Sequence, residues 1–331
     1  MRYFGSKVST LEELYKVISF RVPSGSFCDP FGGIGSVGSF FQSRGYNVWS
    51  GDILKCPHFF QIARLKFSLF YFEDLIKELK VKDQVGLVEY FNTLSPKTGW
   101  FVNEYADKRK FFTQNNARKI QACRLKIKNW AQRGLVNYEE HAVLLASLIN
   151  SMDKVANTAG TYYAYLKSWH RKALCDFKYE FIEPPSHKLE GACFHEPARS
   201  LVKRRHFNVL YLDPPYNQRS YSHYYHLPET IAQELTPRVH GMSGIPSLPS
   251  SPSSFNIRRE AKTSLIEILD NSRFDLLAFH YADDGIISPQ DIEETLSSYG
   301  KVDNFFLDSK GYTTKQTSRN LKHHLYLVQN V

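Results

Sequence analysis

A glycine-rich turn placed directly after a short apolar strand leaves a chain few folds to choose from. In DPFGGIGSVG (29–38), Gly33, Gly35 and Gly38 stand in G-x-G-x-x-G spacing. Ser26–Asp29 reads as the strand before the turn. Val37, Phe40 and Phe41, at i, i+3 and i+4, read as the buried face of a helix after it. Arg44-Gly45 reads as that helix's stop, and Asn47–Asp52 as the next strand. A nucleotide approaches a backbone closely only where side chains are absent, so Gly33 and Gly35 suit the wall of a cofactor site. The helix N-terminus would aim its amides at the same ligand. Asp52 ends the second strand, where an acid accepts hydrogen bonds from ribose hydroxyls. An adenosine ribose is common to NAD and S-adenosylmethionine, so the glycines alone leave both open. Asp29-Pro30 tips the choice, because a carboxylate at the entrance suits a sulfonium-bearing amino acid better than a pyrophosphate.

The second constraint lies far downstream. NVLYLD (208–213) is a continuous apolar run, as in a parallel strand covered on both faces. It ends in Asp213-Pro214-Pro215-Tyr216, at the carboxyl end where open α/β sheets bind ligands. Two prolines stiffen the backbone and leave their carbonyls without local N–H competition. Asp213 can then accept one hydrogen of an exocyclic amine and the Pro214 carbonyl the other, which turns the nitrogen lone pair toward a methyl donor. Tyr216 offers a flat surface on which a base stacks, worth about 1–3 kcal/mol. The plainer alternative, a rigid turn that merely ends a strand, is weakened by the separate cofactor turn in the same chain. Amine attack on a sulfonium methyl needs no protein nucleophile, metal or covalent intermediate. The protein contributes positioning and electrostatics, and no metal site is expected.

Between these two turns the pattern changes. Pro57–Phe72 reads as an apolar helix marked by Phe59, Ile62, Ala63, Lys66 and Phe70. Residues 76–185 lack strand alternation. RKIQACRLKIKNWAQ (118–132) puts Ile120, Cys123, Ile127 and Trp130 on one stripe, and HAVLLASLINSMDKVAN is a second apolar helix. The α/β rhythm resumes near residue 190, with FDLLAFHY (274–281) as a buried strand and PQDIEETLSSYG as a helix closed by Gly300. KVDNFFLD and LKHHLYLVQN read as a terminal hairpin, and the Ser/Pro-dense SGIPSLPSSPSSFN (243–256) as a mobile surface loop. An α/β core in two parts, 1–75 and 189–331, interrupted by a mainly helical insert at 76–188, is the simplest account.

Charge follows the same division. The net charge is +9, and from Lys97 to Lys128 nine Lys or Arg face two acids, Glu104 and Asp107. Such concentration marks a footprint for a polyanion, although a solvated helix face is the plainer alternative. Lys108, Arg109, Lys110, Arg118, Lys119, Arg124, Lys126 and Lys128 are the candidate phosphate contacts, with Lys167 and Arg171 behind them. Arg219 stands in YNQRSYSHYYHL (216–227), an aromatic run that either stacks bases or fills core. Five scattered cysteines without C-x-x-C make disulfides and structural zinc unexpected, which fits reduced thiols in a cytoplasm. No apolar run approaches the ~18 residues of a membrane span, and MRYFGSKVST has no apolar core suited to secretion. No membrane partner is expected.

With these motifs in place, the chain resembles the Dam-like, D12-class N6-adenine DNA methyltransferases, in the alpha-type arrangement where a target-recognition segment interrupts the catalytic core. RYFGSK resembles the family's opening motif, in which an aromatic and a lysine contact S-adenosylmethionine, here Tyr3 and Lys7. DPFGGIG is similar to the D/E-P-F-x-G-x-G turn, which brings Asp29, Phe31, Gly33 and Gly35 to the cofactor. GDI places Asp52 at the ribose-binding acid, and LDPPYN matches the catalytic motif, with Asp213 also beside the cofactor. CFHEPARSL should carry the residue that touches the cofactor adenine, and Phe194, His195 and Glu196 all qualify. The resemblance implies a Rossmann-like core with a mostly parallel seven-stranded sheet and a terminal hairpin. It also implies methyl transfer to adenine N6 after a base leaves double-stranded DNA, a companion restriction endonuclease, and a nucleoid-associated monomer acting on one strand per visit. Cytosine N4, RNA or a protein amide as acceptor, and a silent DNA-binding module, stay open on the residues alone.

Overall fold

The computed structural model describes residues 1, 7, 9–67, 71–183, 185, 191–218, 220–247, 253–308 and 322–329. Tyr3, Phe70 and Arg219, to which the sequence assigns roles, fall outside them. The chain forms two compact units.

The first unit comprises Lys7–Ile53, Ser186–Ser220 and Ser251–Val331. Its strands are β1 (Ser26–Asp29), β2 (Asn47–Asp52), β3 (Ala192–His195) and β4 (His206–Leu212). In the second unit a short ribbon, β5 (Val239–His240) and β6 (Ile245–Pro246), pairs with itself. The first unit then continues with β7 (Arg273–Ala282), β8 (Lys301–Asp308) and β9 (Lys322–Gln329). The order across the sheet is β3-β2-β1-β4-β7-β9-β8. Every pairing is parallel except those of β9, which runs antiparallel to both neighbours. This is the seven-stranded, mostly parallel sheet with a terminal hairpin that the motifs imply. All four residues of β1 are buried, which explains a run without alternation. The terminal hairpin and the helix Pro289–Ser297, capped by Ser288, likewise match the pattern.

The second unit is built mainly from Leu54–Pro185 and Tyr221–Ser250. Its long helices are Lys55–Leu65, Gln114–Gln132 and Tyr138–Lys154, the last opened by a capping box of Asn137 and Glu140. Ile120, Cys123, Ile127 and Trp130 are all buried, as their spacing requires. Its limits differ from the segment 76–188. The helix Lys55–Leu65 stops well short of Phe72, is buried on nearly every side and packs on Tyr138–Lys154. Its first amides, Lys55 and Cys56, donate to the Glu229 carboxylate at 3.0 and 2.8 Å, which fastens the segment after residue 220 to the same unit.

Residues 248–252 of the Ser/Pro-rich stretch lie outside the described residues. Ile245 and Pro246 pair in the ribbon, and Phe255 is buried, its ring centroid 5.2 Å from that of Phe31 and the planes near perpendicular. Among the described residues, no helix is long and apolar enough to cross a membrane.

Candidate active site

The glycine turn leaves β1 in a conformation that selects its residues. Gly33 and Gly35 have φ of 49° and 77°, a left-handed region costly for side chains. Gly35 is the N-cap of the helix Ser36–Ser43, so the turn feeds directly into a helix N-terminus. The Gly32 amide donates to the Gly51 carbonyl at 2.9 Å, which ties the turn to the end of β2. That bond brings the neighbourhood of Asp52 to the turn.

Asp29, last in β1, is 1% exposed, and its Oδ1 has no hydrogen-bond partner among the described residues. Burial holds its carboxyl well above the usual range, with Asp213 and Asp52 adding repulsion and the Phe31 amide opposing. A buried, unneutralised acid near two others disfavours phosphate and fits a ligand that brings positive charge. S-adenosylmethionine carries such charge on its sulfonium and ammonium groups. Its donor set here would be Asp29, the turn glycines and Asp52.

Asp213 follows the end of β4, the central position of the sheet beside β1. Its Oδ1 lies 3.1 Å from Lys7 Nζ, and both side chains are largely buried. Burial raises the Asp213 carboxyl while Lys7 pulls it back down by charge and hydrogen bonding. The motif lysine therefore faces the carboxylate of the Asp-Pro-Pro-Tyr turn. Tyr216 stands beside this pair, its ring centroid 6.0 Å from Lys7 Nζ. Its phenol is pushed up to about 12 by burial and by Asp213 and Asp284, so it stays neutral. Pro214 is buried and Pro215 half-buried, a stiff bracket around the acid.

The three residues offered for the cofactor adenine separate in space. Phe194 stacks on Trp49, ring centroids 5.1 Å apart, and the Arg204 guanidinium lies 4.6 Å from the same ring. Arg204 also holds Glu196 with two bonds of 2.8 and 2.9 Å. His195 pairs in register with Asp52, and its Nε2 sits 3.1 Å from the Ile53 carbonyl. Phe194 and Glu196 are thus bound up with Arg204, and His195 lies nearest the ribose acid in the ladder.

Two further residues lie close that the motifs alone do not single out. His280 in β7 is fully buried, and Tyr211 Oη is 3.0 Å from its Nδ1. His323 in β9 meets Tyr216 edge-on, ring centroids 5.9 Å apart. The available signal was a histidine inside an apolar strand, since buried strands seldom spend a position on imidazole without a use.

The basic residues of the helical unit divide into two groups. Arg109 and Arg124 are 9% and 3% exposed. Arg109 Nε and Nη2 donate to the Gly241 carbonyl at 3.2 and 3.0 Å, and Arg124 Nη2 to the Leu235 carbonyl at 2.7 Å. Lys108, Lys110 and Arg118 are exposed, whereas Lys119, Lys126 and Lys128 are half-buried. Lys119 reaches the Asn92 carbonyl at 3.3 Å, Lys128 the Glu234 carbonyl at 3.4 Å, and Lys126 lies over Tyr90.

The sheet order and the two strand-end turns define a Rossmann-like methyltransferase fold. The chain belongs to the D12 class N6 adenine-specific DNA methyltransferase family, whose model matches residues 3–294. It is 28% identical to the Type II methyltransferase M.FokI of Planomicrobium okeanokoites, over 99% of this chain and 52% of that protein. It is 27% identical to the modification methylase StsI of Streptococcus sanguinis, over 97% of this chain and 50% of that protein. The chain spans about half the length of these two relatives. With the Type II methyltransferase M.NlaIII of Neisseria lactamica it shares 28% identity over 92% of this chain and 90% of that protein.

Proposed function

We propose that this chain transfers a methyl group to adenine N6 in double-stranded DNA, as the modification partner of a restriction endonuclease. The observation that carries the reading is the Asp213–Lys7 pair beside Tyr216 at a buried strand end, in a chain of this family. Bound S-adenosylmethionine supplies an electrophilic methyl group. Asp29, Gly33, Gly35 and Asp52 hold it, with His195 at the adenine end. Asp213 and the Pro214 carbonyl accept the two amine hydrogens, so the nitrogen lone pair faces the methyl group. Lys7 pulls the Asp213 carboxyl down against the upward push of burial. Extruding the base costs a few kcal/mol, and stacking on Tyr216 returns about 1–3 kcal/mol of it. The helical unit recognises the target, and Lys108, Lys110 and Arg118 meet phosphates. The family favours adenine over cytosine N4, RNA and protein amides. Relatives named as modification methylases support the restriction context.

The test is direct. The protein is incubated with methyl-labelled S-adenosylmethionine and unmethylated genomic DNA, the DNA is digested, and labelled nucleosides are identified by mass. N6-methyladenine is expected. N4-methylcytosine would change the base, and no labelled nucleoside despite cofactor binding would overturn the reading.

A further inference from the structure

Two buried imidazoles complete a circuit around the Asp-Pro-Pro-Tyr turn. Tyr211 lies in β4, two positions before Asp213, and its hydroxyl reaches His280 Nδ1 at 3.0 Å. The His280 ring meets His323 edge-on at 5.2 Å and 75°, and His323 meets Tyr216 at 5.9 Å and 90°. The path thus leaves the strand that carries Asp213, crosses β7 and β9, and returns to the turn at Tyr216. Tyr281 closes the other side of Tyr216, ring centroids 6.2 Å apart at 76°. His280 Nε2 and His323 Nδ1 have no hydrogen-bond partner among the described residues.

We propose that His323 and His280 are positioning residues of the methyl-transfer site, which fix the plane of Tyr216 and hence the surface on which the extruded base stacks. The proposal rests on the function given above. Edge-to-face contacts hold a ring plane because the aromatic quadrupole favours them over sliding. Both rings are uncharged at neutral pH. Burial and Lys7 hold His323 down to about 4, with His324 adding to the effect and Asp283 opposing it. His280 is lowered by burial, Lys7 and His323. Neutral rings pack against Tyr216 without competing with Lys7 for Asp213.

The experiment compares the full chain with His323→Leu and His323→Phe, both of which fill the volume. Turnover on genomic DNA, KM for DNA, S-adenosylhomocysteine affinity and amide exchange over residues 211–218 are measured. His323→Leu should lower kcat roughly 10- to 100-fold through misplacement of Tyr216. Affinity for S-adenosylhomocysteine and KM should stay put, and exchange at the turn should quicken. His323→Phe should recover most of kcat, because a flat edge is restored. Tyr211→Phe, which unties His280, should quicken the same amides. Equal kcat in the Leu and Phe variants, or unchanged exchange in His323→Leu, overturns the proposal. A wild-type chain that methylates no nucleoside sinks the function, whereas the exchange comparison still judges the brace by itself.

Discussion

Lys7 Nζ lies 3.1 Å from Asp213 Oδ1, joining a residue just before the helix Leu11–Ser19 to the end of the central strand. Lys7 lowers the Asp213 carboxyl against the upward push of burial. Lys7→Gln removes only the lowering influence, so the carboxyl climbs further. If Asp213 acts as a carboxylate, the acid limb of the kcat/KM profile must move to higher pH in this variant. A limb that stays put, or moves down, would show that the pair does not set the working acid.

Asp213→Ala should reduce kcat at least ~10²–10³-fold, the loss typical of removing one group aimed at a transition state. S-adenosylmethionine binding and the melting temperature should change little. Substantial residual turnover in single-turnover assays would take Asp213 out of the chemistry.

Asp29→Asn separates stability from binding. Because the folded Asp29 carboxyl sits above its ordinary range, its contribution to stability is full at low pH and is lost as pH rises. The ligand-free variant should therefore escape the destabilisation that the wild type suffers between acid and alkaline pH. Calorimetry should find S-adenosylmethionine bound at least about tenfold more weakly, about 1.4 kcal/mol. Undiminished affinity would remove Asp29 from the cofactor site.

Solvent-facing and buried cations of the helical unit should respond differently. Replacing Lys108, Lys110 and Arg118 by Gln should flatten the logarithmic salt dependence of DNA binding by roughly 0.9 for each phosphate that is no longer neutralised. Arg124→Ala should leave that slope alone and instead cost about 2–3 kcal/mol of stability, since its guanidinium holds the Leu235 carbonyl. A slope that responds only to Arg124 would reverse the assignment.

His226 is buried, and its Nε2 donates to the Tyr162 carbonyl at 2.8 Å. Burial brings it from 6.5 to about 4. A depressed folded value means that stability is complete above pH 6.5 and is lost as pH falls toward 4, about 3 kcal/mol in all. His226→Gln keeps a donor and cannot titrate, so its urea midpoint should fall less between pH 7 and 4.5. Parallel losses in both proteins would assign the acid sensitivity elsewhere.

Legibility in the sequence followed distance along the chain. The strand, turn, helix and strand of residues 26–52, the strand before Asp213 and the terminal hairpin are local patterns, and each stands where its period placed it. The stripe Ile120–Trp130 is equally local. Contacts between remote segments were hidden. Nothing in the run from Lys97 to Lys128 distinguishes Arg124, which turns inward, from Arg118, which turns outward, because a long side chain can bury its head wherever a carbonyl waits. Nor does the motif RYFGSK reveal that Lys7 faces Asp213, or FDLLAFHY that His280 meets a ring from β9. Those facts belong to the sheet order, which no local period encodes.

That order also sets a timetable. β1 lies between β2 and β4, and its partner β4 is separated from it by the whole of the segment Leu54–Pro185. During synthesis β1 and β2 can pair at once, yet the other edge of β1 stays bare until residue 212 has left the ribosome. At ordinary elongation rates of about 5–20 residues per second, that interval is about 10–40 s. An apolar strand with one open edge is a template for pairing with another chain. The growing polypeptide therefore carries an open apolar edge through the making of Leu54–Pro185.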